Sequence, residues 1–233
     1  MKYSTEHLWE QGLRNENEDS IAVMHIIIGN TPAILAIVAD GIGGMSYGET
    51  ASGMVVNRIK CAFENLSYTP DNFKPKTLKH TIKRELYACH TELTGYGIKN
   101  NLSIGTTVSL ICIIGRRGFL IHSGDSRIYI CSKRFKHPKL ITSDQNTPSG
   151  YLTNCIGHGN NLKLITHSFL FTHSSKLLLC TDGFYRRLQP EIYNMQHLLR
   201  LHTPKDLLQY MNSLAISRGE SDNSSAILIQ LTK

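Results

Sequence analysis

The chain alternates between short apolar runs and polar breaks, and this pattern predicts many strands and a few helices. Apolar positions recur three or four residues apart, which is typical of helices, over residues 48–66, 75–94, 189–201 and 203–217. Strand-like runs occupy residues 21–28, 33–39, 108–114, 119–123, 127–132, 139–142, 162–171, 176–180 and 225–231, with an edge strand beginning within residues 1–12. Tight turns such as Asn30-Thr31-Pro32 indicate antiparallel pairing. Two early helices, two late helices and the strands between them predict a layered α+β fold with stacked sheets inside and helices outside.

Length and composition favour a single domain over residues 1–233, since 233 residues suffice to bury a sizeable core. The formal charge is +7, and the basic residues are spread along the chain rather than gathered in a tail. Such a surface could attract acidic or phosphorylated partners. Nucleic-acid binding is disfavoured, because the basic clusters lack interleaved aromatic residues and no reading motif is present.

The six cysteines are scattered, and none forms a CxxC pair. Several lie inside apolar runs, where a free cysteine behaves as a small hydrophobic residue. No signal peptide is seen, and no apolar run approaches the ~20 residues that span a bilayer. We therefore expect a cytoplasmic protein that is not bound to a membrane.

Residues 33–44, which read AILAIVADGIGG, are the most informative stretch. An apolar run that leads into Asp40 and then into glycines is typical of a buried strand followed by a turn. A buried aspartate is costly unless hydrogen bonds or a cation compensate its charge. For one isolated Asp-Gly pair, local backbone hydrogen bonds would be the simpler interpretation.

The same pattern recurs, and this changes the interpretation. Asp125 follows a strand and a glycine, Asp182 follows the strand at 176–180 and precedes Gly183, and Asp222 lies directly before the last strand. If one sheet system brings these strand ends together, the carboxylates repel each other unless cations lie between them. An all-oxygen set of ligands suits Mg²⁺ or Mn²⁺. Zinc is disfavoured, because the eleven histidines show none of its usual spacings.

Six motifs occur in an order that resembles the metal-dependent Ser/Thr protein phosphatase family (PPM, type 2C), in a short bacterial form. They are RNENED from Arg14, VADGIGG around Asp40, GTT at residues 105–107, GDSR around Asp125, LLLCTDG ending at Gly183, and DNSS from Asp222. The resemblance spans residues 13–231. It implies an α-β-β-α sandwich, in which two mainly antiparallel sheets are flanked by helix pairs.

The resemblance also implies the metal ligands. Asp40 is similar to the carboxylate that bridges two Mn²⁺ or Mg²⁺ ions, and the Gly41 carbonyl to a ligand of the second ion. Asp182 and Asp222 match the remaining carboxylates of the first ion. Glu18 and Asp19 match the acids of the family that contact the ions mainly through coordinated water.

The remaining roles are implied in the same way. Arg14 matches the arginine that binds the substrate phosphate, and we expect Asn223 to orient Asp222 or a bound water. Asp125 matches a ligand of a third, weaker ion. Where the family commonly has an acid that serves this ion, the chain has Arg186. Two interpretations stay open: Arg186 pairs with Asp125 in place of the metal, or Arg186 and Arg187 begin a solvated loop that links two helices.

A second departure from the family lies in residues 143–159. The family usually carries a longer flap after the GDSR strands, and the compact connection here predicts a shortened flap and a more open site.

The resemblance implies an enzyme that hydrolyses phosphoserine and phosphothreonine in proteins, using a bridging water, and that opposes a Ser/Thr kinase. We expect it to act as a monomer. The leading alternative is a pseudophosphatase that uses the same fold to bind a partner, but its core acids would be expected to be incomplete. Nucleotide binding is a third class, and it lacks a GKS/T or GxGxxG context.

Overall fold

The computed structural model describes residues 2–42, 47–68 and 75–232, so that Gly43 and Gly44 of the predicted glycine turn lie outside the described residues. The strands are β1 (Lys2–Glu10), β2 (Asp19–Ile28), β3 (Thr31–Ile42), β4 (Gly105–Thr106), β5 (Val108–Ile114), β6 (Arg117–Ser123), β7 (Arg127–Ser132), β8 (Lys139–Leu140), β9 (Ile165–Leu170), β10 (Ser175–Cys180) and β11 (Ser224–Thr232). The helices are α1 (Tyr47–Glu64), α2 (Pro75–Asn100), α3 (Asp182–Tyr185), α4 (Gln189–Tyr193), α5 (Met195–Leu201) and α6 (Pro204–Ser217), with a short 3₁₀ turn at Asn65–Tyr68.

Two antiparallel sheets form the centre of the molecule. One has the strand order β1-β11-β10-β7-β8, and the other has the order β2-β3-β5-β6-β9, with β4 paired to β3. Helices α1 and α2 pack on the second sheet, and α3 to α6 pack on the first. The structure confirms the α-β-β-α sandwich, and β1 is an edge strand as predicted.

Strand β3 shows how an almost wholly apolar strand serves two cores. Leu35, Ile37 and Ala39 belong to the core beneath α1 and α2. The alternate residues 34, 36 and 38 belong to the core between the two sheets. Because neighbouring side chains of a strand point to opposite faces, both faces of β3 must be apolar.

Helix α2 is longer than the sequence predicts, since it runs to Asn100 rather than ending near residue 94. A glycine inside a helix costs about 1 kcal/mol relative to alanine, which is why Gly95 and Gly97 suggest a break. Gly97 is required for packing, because a Cβ there would lie 2.9 Å from the Leu102 carbonyl oxygen. The chain turns back beyond the helix through Asn101, which adopts a left-handed φ of 54°.

The single helix predicted over residues 189–201 is wrong, since the chain forms α4 and α5 with Asn194 between them. Asn194 has φ −96° and ψ 8°, outside the helical range. Its N–H donates to the carbonyls of Pro190 and Glu191, and this closes the first helix. Met195 then starts the second helix from a buried position.

Two predicted strands are shorter in the structure. The strand expected from residue 162 begins at Ile165, and the one expected over 139–142 is limited to Lys139–Leu140. Beyond Leu140, the Thr142 hydroxyl accepts a hydrogen bond from the Ile128 N–H, so a side chain takes the place of a backbone acceptor in the β7–β8 ladder. Residues 143–159 contain no strand or helix, as predicted.

In the described part of the chain, no helix has the length and apolar character needed to cross a membrane.

Candidate active site

Four aspartates from both sheets meet at one end of the sandwich. Asp40 lies near the end of β3 and Asp19 begins β2, whereas Asp182 follows β10 and Asp222 lies just before β11. Because the strands are antiparallel, the ends of some and the starts of others share one edge. Asp40 shows this convergence, because its pKa is raised, beyond the effect of its burial, by four neighbouring carboxylates. These are Asp19, Asp182, Asp125 and Asp222.

The alternation along β3 directs Asp40 inward. Asp40 continues the even-numbered positions, whose side chains fill the core between the sheets. Asp19 lies directly opposite Asp40 in the β2–β3 ladder, and cross-strand partners share a face. Asp19 is only 2% exposed, and it accepts a 2.9 Å hydrogen bond from the Thr181 hydroxyl. Two carboxylates are therefore placed side by side at the end of an apolar core.

The threonines of the GTT motif fix the backbone at Asp40. The Asp40 N–H donates to the Thr107 hydroxyl at 2.9 Å, and the Asp40 carbonyl accepts from the Thr106 hydroxyl at 2.9 Å. The Thr107 N–H also donates to the Asp40 carbonyl, at 2.8 Å. The strand end is thus held without use of the Asp40 carboxylate.

Burial and mutual repulsion make the cluster electrostatically unfavourable on its own. The pKa of Asp40 is raised well above its usual value by burial and then by the neighbouring carboxylates. Burial also raises the pKa of Asp19 and of Asp182, and Asp222 adds repulsion to both. Carboxyl groups in this situation either take up protons or attract cations.

Two arginines approach the cluster from its exposed side. Arg186 forms a short ion pair with Asp182 and a longer one, of 3.3 Å, with Oδ2 of Asp222. Arg14 contacts the other Asp222 oxygen at 3.0 Å, and its side chain is 56% exposed. Both oxygens of Asp222 are therefore engaged by guanidinium groups, and Arg14 lies at the rim where a ligand would enter.

The expected pairing of Arg186 with Asp125 is wrong. Arg186 follows Asp182 by four residues across α3, so the two side chains share a helix face and meet there. Asp125 instead accepts a hydrogen bond from the Asn146 side chain at 3.1 Å. Arg186 balances the charge of the central aspartates, not of the outlying one.

Glu18 lies against the first turn of α1. A Cβ on Gly48 would come within 2.5 Å of the Glu18 carboxylate, and the Gly48 N–H is hydrogen bonded to that carboxylate. The Gly41 N–H donates to the Glu18 carbonyl at 3.1 Å. A Cβ on Gly41 would lie 2.3 Å from the Gly48 carbonyl oxygen, so only glycine allows these three segments to come together.

The Asn223 side chain joins the segment before β11 to the loop between β1 and β2, rather than contacting Asp222, which is one of its two expected partners. Its side-chain oxygen accepts the Glu18 N–H at 2.9 Å, and its amide donates to the carbonyls of Gln11 and Glu16 at 2.7 and 2.9 Å. Only its backbone N–H donates to Asp222, at 2.9 Å. The Asn223 side chain therefore positions the loop that carries Arg14 and Glu18.

Sequence reasoning missed two residues of the site. Thr181 lies inside the LLLCTDG motif, directly before Asp182, and its hydroxyl donates a hydrogen bond to Asp19. Glu220 is 5% exposed and accepts from Arg186 at 3.2 Å. Thr181 can be found from the sequence because it directly precedes Asp182. No spacing pattern in the sequence indicates Glu220.

The cluster is not closed around a metal position in this arrangement of side chains. Among residues 2–42, 47–68 and 75–232, no three His, Cys, Asp or Glu side chains are grouped closely enough to enclose an ion. In the same arrangement, Arg186 contacts Asp182 and Asp222, and Arg14 contacts Asp222. The donor set itself is all oxygen and repulsive, and so it fits hard divalent cations.

Comparison with known proteins places these features in a family context. The family model described as protein phosphatase 2C matches residues 11–221. The serine/threonine phosphatase stp of Listeria monocytogenes is 25% identical over 240 residues, covering 94% of this chain and 91% of that protein. The serine/threonine phosphatase of S. agalactiae superposes with a TM-score of 0.85 at 23% identity, covering 99% of this chain and 100% of the other. The catalytic domain of the phosphatase PstP, in complex with two manganese ions, gives a TM-score of 0.79 at 21% identity, with 99% of each chain covered.

Proposed function

The chain belongs to the protein phosphatase 2C family, and on that premise we propose that it hydrolyses phosphoserine and phosphothreonine in proteins with Mn²⁺ or Mg²⁺ bound at the aspartate cluster. The observation that carries the proposal is the convergence of Asp19, Asp40, Asp182 and Asp222 below Arg14. The pseudophosphatase alternative calls for missing acids, and every acid expected at the centre is present.

Two ions would be held by this chain's oxygens. Asp40 would be shared between them, the Gly41 carbonyl would serve the second, and Asp182 and Asp222 would serve the first. Glu18 and Asp19 would contact the ions through water. When bound, such ions supply an activated water and neutralise charge that develops on the phosphoryl group.

The protein's own groups orient the substrate and relieve the repulsion. Arg14 is half-exposed at the rim, where a guanidinium can bind two phosphate oxygens in parallel. The buried side of the cluster, at Asp19 and Thr181, excludes water from one face. The substrate therefore approaches from the Arg14 side.

We place no third ion at Asp125. Its carboxylate is engaged by Asn146, and the position from which an acid would assist it is occupied by Arg186. Residues 143–159 serve as a shortened flap in this proposal. The Gln145 N–H donates to the Gly124 carbonyl, so this connection is tied to the turn that carries Asp125.

The biological setting is part of the same proposal. The enzyme would act as a monomer in the cytoplasm and oppose a Ser/Thr kinase. All six cysteines are unpaired, and five of them are buried, which suits a reducing compartment.

Hydrolysis of p-nitrophenyl phosphate, with and without Mn²⁺, tests the proposed activity. We expect turnover with Mn²⁺, loss of turnover with EDTA, and recovery when excess Mn²⁺ or Mg²⁺ is added. Hydrolysis that persists in EDTA, or that needs zinc, would contradict the assignment.

Replacing Arg14 with alanine should reduce kcat/KM for a phosphopeptide by about 10- to 100-fold, because a charge-assisted hydrogen bond is worth roughly 1.5–3 kcal/mol. Arg14→Lys keeps the charge but not the paired geometry, so it should recover only part of the loss. Mn²⁺ binding, measured by calorimetry, should not weaken, because Arg14 pairs with Asp222 in the metal-free protein. Unchanged kinetics in Arg14→Ala would mean that this arginine is only a surface residue.

Replacing Arg186 with glutamine should tighten Mn²⁺ binding by about 3- to 10-fold, because the guanidinium no longer competes for Asp182 and Asp222. Calorimetric titration of the metal-free protein measures the change. Arg187→Gln is the matched control, since Arg187 is 3.9 Å from Glu220 and pairs with neither aspartate among the described residues. Weaker binding in Arg186→Gln would show that Arg186 supports the metal site instead of competing for it.

A further inference from the structure

A second concave surface lies between α2 and the edge strand β9. This basic groove has a volume of about 970 Å³, and its lining includes Lys76, Lys79, Lys83, Arg117, Phe169 and Leu170. A smaller hollow of about 520 Å³ shares Arg117 and Leu170 with it and adds Arg116. The two hollows form one continuous basic surface.

The charge of the basic groove follows from the helical repeat. Lys76, Lys79 and Lys83 are spaced by three and four residues, so they lie along one side of α2 over about 10 Å. Among the described residues, no aspartate or glutamate lines either hollow. Among the described residues, these lysines and Arg117 form no ion pair. The positive charge of the groove is therefore not balanced by the described part of the chain.

Strand β9 gives the groove an edge with hydrogen-bonding capacity. It pairs with β6 on one side and ends the sheet on the other, within the described residues. Its sequence, ITHSFL, contains no Lys, Arg, Asp or Glu, so the strand lacks the charges that usually protect an edge. Leu170 is 68% exposed. An extended polypeptide can use such an edge through its main chain.

The groove is far from the aspartate cluster. Arg117 begins β6, and the opposite end of that strand leads to Asp125. Seven residues at about 3.3 Å each separate the two ends by about 20 Å. Binding in the groove is therefore separate from hydrolysis and can be measured without it.

We propose that the basic groove docks an acidic, extended segment of a partner polypeptide. The segment pairs with the free edge of β9, and its carboxylates face the lysines of α2. A row of three cations about 10 Å long suits several spaced negative charges rather than one phosphate. A nucleic acid or a lipid surface would meet the charge but could not form strand hydrogen bonds with β9, so a polypeptide is the occupant that both features favour.

Fluorescence anisotropy with a labelled 12-residue peptide of alternating Glu and Thr tests this proposal. We expect the peptide to bind, and its affinity to fall as NaCl rises from 50 to 300 mM. In Lys79→Glu/Lys83→Glu, the dissociation constant should rise by about tenfold or more. The matched control Lys133→Glu/Lys136→Glu makes the same charge change after β7 and should bind as the parent does. N-methylation of alternate peptide amides should also weaken binding, because it removes main-chain donors. Both variants should keep the far-ultraviolet circular dichroism spectrum and the melting temperature of the parent, which shows that they are folded.

Three results would overturn the proposal. One is the absence of peptide binding, and another is equal loss in the groove and control variants. The third is tighter, groove-dependent binding of a 12-nucleotide single strand or of vesicles containing anionic lipid. Because peptide binding is read without catalysis, failure of the proposed phosphatase activity would leave this test intact.

Discussion

Asp40→Asn should lower turnover of a phosphopeptide by about 10³-fold or more, which corresponds to about 4 kcal/mol of transition-state stabilisation. In the proposed site, Asp40 is the carboxylate that both ions share, and an amide oxygen cannot replace its charge. Steady-state kinetics at saturating Mn²⁺ measure the loss. Calorimetry should show weaker Mn²⁺ binding in the same variant.

The metal-free variant should, by contrast, melt at a higher temperature than the metal-free parent. Burial and the neighbouring carboxylates raise the pKa of Asp40, so its ionised form destabilises the folded state above the ordinary carboxyl pKa. Removing the charge removes that cost. Asp206→Asn is the control, since Asp206 lies in the first turn of α6, outside the cluster. A lower melting temperature with normal Mn²⁺-dependent turnover would contradict the role given to Asp40.

Asn223→Ala should destabilise the protein by about 2–4 kcal/mol, and it should also reduce activity. The side chain is 7% exposed and makes three hydrogen bonds to the loop that carries Arg14 and Glu18. Truncation leaves a backbone N–H and two carbonyls without their partners, and each such loss costs about 1–3 kcal/mol when the group stays buried. Denaturant unfolding of the metal-free protein measures the effect.

Asn100→Ala is the matched control for this truncation. The Asn100 side chain makes one local hydrogen bond, to the Tyr96 carbonyl at 2.8 Å, on an exposed part of α2. Its loss should change the free energy of unfolding by less than about 1 kcal/mol. Equal effects of the two substitutions would show that Asn223 does not join the N-terminal loop to β11.

The convergence of the aspartates could be predicted from the sequence because it depends on local features. Apolar runs ending at Asp40 and Asp182 mark strand ends, and antiparallel pairing brings such ends to one edge. The β2–β3 hairpin follows from its short turn, and its register places Asp19 against Asp40. The layer order follows from helices early and late around the strands.

The contacts that modify the site could not be predicted, because they join distant parts of the chain. Asn223 accepts from Glu18, a residue 205 positions away, and no local pattern encodes that contact. The resemblance places Arg186 near Asp125, but Arg186 follows Asp182 by four residues, and this helical spacing makes Asp182 its partner. The break at Asn194 and the continuation of α2 through Gly97 likewise depend on packing beyond each segment.

Binding of two divalent ions by the aspartate cluster can be seen in an anomalous difference map recorded at the manganese absorption edge from crystals soaked in Mn²⁺. We expect two peaks beside Asp40, one of them also contacting Asp182 and Asp222, with the Arg186 guanidinium displaced from both carboxylates. No peak is expected at Asp125. A map with no peak at Asp40, and with Arg186 still paired to Asp182, would show that the cluster does not bind the ions.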